Sequence, residues 1–144
     1  MKFQKLSFLI AILLPLIAIS CSGSDDDSAP NTDTNVPVII TNGTWRITLY
    51  NDNGENETYH FSGYTFDFSH GVVTATKIGN SVTGTYAIGV DDGHNKLYLD
   101  FGVVVPFEEL NDDWHIVEES ATKVRLQDVS GGNGGTDLLT FEKN

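Results

Sequence analysis

From residue 44 onward, apolar and polar residues alternate with a period of two along most of the chain. Successive side chains of a strand point to opposite faces. The pattern therefore predicts half-buried β-strands, since a helix would repeat its apolar stripe every ~3.6 residues. A first strand, Thr44 to Tyr50, places Trp45, Ile47 and Leu49 on one face and Arg46, Thr48 and Tyr50 on the other. Asn51-Asp52-Asn53-Gly54 follows as a turn. A long second strand is expected over Glu57 to Ser69. There Tyr59 and Phe61 share one phase, Tyr64, Phe66 and Phe68 share the other, and a bulge at Gly63 would produce the flip. His70-Gly71 and Gly79-Asn80 turn the chain into strands Val72 to Ile78 and Val82 to Ile88. In the latter, Val82, Gly84, Tyr86 and Ile88 share a face. After the turn Asp91-Asp92-Gly93-His94-Asn95, the fifth strand runs Lys96 to Phe101. It turns Leu97, Leu99 and Phe101 inward and Lys96, Tyr98 and Asp100 outward. Phe107 to Leu110 reads as one helical turn opened by Pro106. The sixth to eighth strands are Trp114 to Glu118, Lys123 to Val129 and Asp137 to Glu142, the last two joined by Ser130-Gly131-Gly132-Asn133-Gly134-Gly135.

Short connections between successive strands force antiparallel neighbours. The expected architecture is all-β: an eight-stranded antiparallel up-and-down barrel over residues 38–144, which closes on itself and leaves no edge. A two-sheet β-sandwich shares the same alternation and is the alternative.

The first 37 residues follow a different pattern. Lys2 and Lys5 precede an apolar run from Leu6 to Ile19. As a helix this run spans about 21 Å, short of the ~30 Å core of a bilayer. Residues 1–20 therefore read as a cleaved signal peptide. The run ends in Ala18-Ile19-Ser20-Cys21, which resembles a bacterial lipobox, and the resemblance implies that Cys21 carries lipid. Residues 21–37 hold one large apolar side chain, Val36, and form an acidic, disordered tether. Within it Asp25, Asp26 and Asp27 resemble the surface-export signal of Bacteroidota lipoproteins. That resemblance implies an outer-membrane anchor facing the cell exterior.

Charge removes several classes of function. The formal net charge is −12, and about −14 once Lys2 and Lys5 leave with the leader. Such a chain lacks the basic face that nucleic acid requires, and charge does not draw its domain to anionic lipid. With Cys21 as the single cysteine, there is no internal disulfide and no thiolate metal cluster.

Asn42-Gly43-Thr44-Trp45 resembles the Gly-x-Trp opening of a lipocalin. With the eight-strand pattern and the acidic leader, the chain is similar to the lipocalin-like lipoproteins of the Bacteroidota. The resemblance implies a barrel whose closed end is plugged by Trp45, crossed by an Arg from the last strand. The nearest Arg here is Arg125, on the seventh strand. It further implies non-enzymatic binding of a small apolar molecule or a glycan at the cell surface. The aromatic set expected inside is Trp45, Phe61, Phe66, Phe68, Tyr86, Phe101, Trp114 and Phe141. These rings line a cavity or fill a core. In the second case the protein would be an accessory interaction subunit of an outer-membrane assembly, with a patch built on Tyr50, Tyr98 and Val103 to Val105.

The acidic doublets Asp91-Asp92, Glu108-Glu109, Asp112-Asp113 and Glu118-Glu119 read as solvated surface. Only Asp112-Asp113 with Glu108 could make a carboxylate pair or calcium site at one barrel end. His60, His70, His94 and His115 show no metal-ligand spacing and read as surface residues. The glycine-rich loop leads into a strand rather than a helix, which disfavours phosphate. No cofactor, metal or catalytic group is expected.

Overall fold

The computed structural model describes residues 39–129 and 135–144, all within one unit spanning residues 33–144. The leader, Cys21, Asp25, Asp26, Asp27 and residues 130–134 of the glycine-rich loop lie outside the described residues. Among the described residues nine strands follow in order: β1 Thr44–Asp52, β2 Glu55–Asn56, β3 Thr65–Ser69, β4 Val72–Lys77, β5 Asn80–Asp91, β6 His94–Asp100, β7 Asp112–Ser120, β8 Lys123–Asp128 and β9 Asp137–Lys143. β2 is a two-residue flap hydrogen-bonded to the end of β1. The other eight strands pair in sequence order, each antiparallel to the next, and β9 pairs back onto β1 from Trp45↔Lys143 to Asn51↔Leu138. The result is a closed eight-stranded meander barrel.

The expected strand Glu57 to Ser69 is corrected. Thr58–Phe61 forms a 3-10 turn, and β3 begins only at Thr65. Thr58 explains the departure: its hydroxyl accepts the Tyr50 amide (2.8 Å) and donates to the Tyr50 carbonyl, occupying groups that a ladder partner would use. Gly63, at φ +82°, then reverses the chain into β3. The phase flip seen at Ser62-Gly63 is thus a change of element and not a bulge. A bulge does exist, but in β1, where the pairing with β9 shifts between Ile47 and Leu49. It turns Tyr50 inward, 3% exposed, in place of Leu49.

Alternating hairpins define two ends. At the β1 start lie the turns after β3, β5 and β7; at the other end lie the β1–β3, β4–β5, β6–β7 and β8–β9 connections. At the first end Trp45 is fully buried, and its Nε1 donates to the Ile40 carbonyl at 2.7 Å. The cation over the Trp45 ring is Lys143 of the last strand, 5.9 Å from the centroid, and not Arg125, which pairs with Glu118 on the outer surface. Gly43 makes room for it. At φ +87° it adopts a left-handed conformation, and a Cβ there would stand 2.9 Å from Lys143 Cε.

At the other end two 3-10 turns, Thr58–Phe61 and Phe107–Leu110, cover the mouth. Phe61, Phe107 and Leu110 point inward and are buried. Asn111 ties off the second turn: its Oδ1 accepts the Phe101 amide and its Nδ2 donates to the Gly102 carbonyl, 2.6 and 2.7 Å. From beneath, Trp114 Nε1 donates to the Leu110 carbonyl at 3.0 Å.

Candidate functional site

The interior is occupied by rings. Phe107 meets Tyr64, Phe101 and Phe61 at centroid distances of 5.0, 5.2 and 5.6 Å. Phe66 carries the contacts on to Phe141 (5.4 Å), and Phe141 to Phe68 (5.5 Å). Edge-to-face meetings dominate, the arrangement that best suits the ring quadrupoles. Tyr50 joins through Phe61 at 5.5 Å, and its hydroxyl donates to the Glu109 carbonyl at 2.9 Å. Burial, reinforced by the charges of Asp52 and Glu109, drives the Tyr50 hydroxyl well above its ordinary pKa, so it remains a donor. Tyr86, expected inside, is only half-buried and packs on Phe68 at the wall. Tyr50, expected in an outer patch, belongs to the core, and Phe107 is a central ring that the strand pattern did not single out.

Open space lies in the wall instead. β1 and β3 pair only at Thr44↔Asp67 and Trp45↔Phe66, because the 3-10 turn carries the chain away before β3 begins. Along this incomplete seam runs a groove of about 490 Å³, lined by Arg46, Thr48, Tyr59, Tyr64, Thr65 and Asn144 among others. Tyr59 stands 68% exposed at its rim. The Tyr64 ring is fixed from two sides: Asn80 Nδ2 donates to its hydroxyl (2.6 Å) and Lys77 Nζ lies 5.4 Å from its centroid. A second cleft of about 530 Å³ opens beside Tyr86, Tyr98 and Asp112.

Two polar clusters sit near the mouth. In one, His60 Nδ1 lies 3.0 Å from Glu109 Oε2 and 3.8 Å from Glu57 Oε2. In the other, carboxylate oxygens of Asp112, Asp113 and Asp128 lie within 4.8 Å of one another. Asp112 therefore meets Asp128 rather than Glu108, which faces solvent. Asp113 points to the outer face and accepts from Lys96 Nζ at 2.5 Å, with Asp91 at 3.4 Å from the same nitrogen. Lys96, expected to be exposed, is 5% exposed on the outer side of β6. The bond to Lys96 holds the Asp113 carboxyl below its usual pKa and holds the ammonium above its own. Asp112 is shifted the other way, raised by burial and by the neighbouring charge of Asp128.

The sign of each shift sets its effect on stability. A depressed carboxyl stabilises the fold above its unfolded pKa and loses that contribution as pH falls through the folded value. A raised carboxyl binds its proton more tightly in the fold, so its ionisation costs stability as pH rises through the carboxylate range. Asp112→Asn keeps an oxygen for the Asp113 amide, which Asp112 Oδ1 accepts at 2.7 Å. The variant should melt higher than wild type at pH 7, and the gain should vanish below about pH 3. Thermal melts across that range check it; a variant less stable at pH 7 would show that the Asp112 charge is needed.

Of the remaining histidines, His94 and His115 stack at 4.8 Å, and His70 Nδ1 lies 2.8 Å from Ser69 Oγ. Neither pair gathers a third ligand among the described residues.

No protein-family model and no curated protein matches the sequence significantly. Among solved structures, the barrel is similar to a DUF4847 family protein from Bacteroides vulgatus, with a TM-score of 0.51 and 16% identity, over 76% of this chain and 97% of that one. It is also similar to a lipocalin-like protein from Bacteroides uniformis, TM-score 0.46, 18% identity, over 71% and 96%. A third likeness is to Japanin from Rhipicephalus appendiculatus, a structure bound to cholesterol, TM-score 0.45, 11% identity, over 73% and 76%. The first of these likenesses bears on the fold alone. With the closed meander it gives an all-β, closed eight-stranded antiparallel barrel.

Proposed function

We propose that the chain is a non-enzymatic binding domain, anchored to the outer membrane through Cys21 and facing the cell exterior, whose ligand is a glycan held in the groove between β1 and β3. The filled lumen carries this reading, since an apolar molecule inside the barrel would have to displace rings that already meet one another. The groove offers what a sugar requires. The exposed ring of Tyr59 can take the apolar face of a pyranose. The Thr48 and Thr65 hydroxyls, the Arg46 guanidinium and the Asn144 amide can meet its hydroxyls. Anchoring rests on Cys21 at the end of the leader, and orientation on Asp25, Asp26 and Asp27.

An oligosaccharide array probed with the purified protein tests the reading. Saturable binding is expected to one class of glycan, falling by roughly tenfold or more in Tyr59→Ala while the melting temperature stays put, because Tyr59 is largely in solvent. Binding that is absent, or undiminished in the variant, would refute it. The exposed run Val103, Val104 and Val105, at 89, 41 and 74% exposure, favours the second reading, an accessory subunit that docks on an outer-membrane partner.

A further inference from the structure

Glu57, His60 and Glu109 converge from two separate segments. Glu57 and His60 stand three residues apart at the first 3-10 turn, whose repeat of ~3 residues places them on one side. Glu109 comes from the second turn, and its backbone carbonyl is held by Tyr50 Oη at 2.9 Å. Both carboxylates approach the same nitrogen, His60 Nδ1, at 3.0 and 3.8 Å. A ring nitrogen carries at most one hydrogen, so it can hydrogen-bond Glu109 at 3.0 Å, while Glu57 at 3.8 Å makes only a longer ion-pair contact. A metal ion in place of that hydrogen would take a direct bond from all three side chains. With bonds of about 2.0–2.2 Å in tetrahedral geometry, neighbouring donor atoms sit about 3.3–3.5 Å apart, between the two observed separations. The three donor atoms all lie within 4.8 Å of one another. Their side chains are 25, 24 and 29% exposed, which leaves the fourth position to water. The Tyr59 ring packs edge-on against the imidazole at 4.2 Å and fixes its plane.

We propose that Glu57, His60 and Glu109 bind a zinc ion that ties the two turns together across the barrel mouth. One imidazole and two carboxylates are borderline-to-hard donors that suit zinc, and their two negative charges balance its two positive ones. The inference goes beyond the glycan reading and does not depend on it. The metal would link residues some fifty positions apart in sequence, 60 and 109. Any ion that binds the folded form alone must raise its stability.

The test uses the purified protein, stripped with a chelator and titrated with zinc chloride by calorimetry, with cobalt(II) as an absorbing substitute. One equivalent should bind, cobalt should give the visible bands of a four-coordinate site, and the melting temperature should rise with metal. His60→Ala and, separately, Glu109→Gln should weaken binding by roughly tenfold or more while still folding. Absence of saturable binding at one equivalent would overturn the proposal. So would undiminished binding by a folded His60→Ala protein, which would move the ion to the Asp112, Asp113 and Asp128 cluster.

Discussion

Trp45→Ala should destabilise the domain by about 3–5 kcal/mol, the usual cost of emptying a large aromatic site. Three features of the closed end make the site unforgiving. Trp45 is fully buried. Its indole N–H is the partner of the Ile40 carbonyl, so truncation leaves that oxygen without the bond. Its ring also carries the Lys143 ammonium, at 5.9 Å, on the strand that closes the barrel. Against the ~5–15 kcal/mol that holds a typical domain together, the loss would leave the protein near unfolding at ambient temperature. Urea melts of the wild type, Trp45→Phe and Trp45→Ala separate the contributions: Phe keeps most of the volume but not the N–H. An alanine variant within about 1 kcal/mol of wild type would show that the closed end collapses around the gap, and that Trp45 is not a plug.

Phe107→Ala should cost a similar amount, about 3–5 kcal/mol, at the opposite end. Phe107 is the ring on which Phe61, Tyr64 and Phe101 converge. Removing it should leave an apolar void beneath the second 3-10 turn, and a void of that kind stays dry and takes up small apolar molecules. The variant is therefore expected to bind benzene or a fluorescent apolar probe that the wild type excludes. Equal uptake by both proteins would mean that the wild-type lumen is already accessible, and the ligand would then belong inside the barrel.

How far the sequence reveals this fold varies along the chain. β4 to β6 are legible because their hairpins turn on residues with positive φ, Gly71, Gly79 and Gly93, and because Leu97 and Leu99 alternate with polar neighbours. The inward turn of Tyr50 is not legible. Trp45, Ile47 and Leu49 continue a perfect alternation, and the bulge that breaks it leaves Thr48 unpaired between the Ile47 and Leu49 pairs with β9, a register shift that no Gly or Pro in β1 announces. Likewise the apolar side chains of Tyr59 and Phe61 mimic a strand, while the decisive signal is the Thr58 hydroxyl closing on the Tyr50 backbone. The groove inherits that uncertainty. Arg46, Tyr59 and Tyr64 face a common space only because β1 and β3 part after two residue pairs, and nothing local to any of the three announces it. The cluster at His60 was hidden for the same reason, since its third member, Glu109, comes from the loop across the mouth. Lys143 could have been anticipated over Trp45 had a lysine been allowed where the family resemblance expects an arginine.

The closure of β9 onto β1 has a kinetic corollary. Arg46 pairs with Glu142 and Ile47 with Phe141, so the joint that completes the wall links the two extremes of the domain. Contacts of such long sequence separation pay their loop entropy before any reward arrives, and they form late. Until they form, β1 and β9 are both bare edges, able to recruit a strand from another molecule. A chain emerging N-terminus first from the ribosome would remain in that open state until its seven-residue strand Asp137–Lys143 had cleared the exit tunnel. The interval before that moment is when a holding chaperone would matter most to this protein.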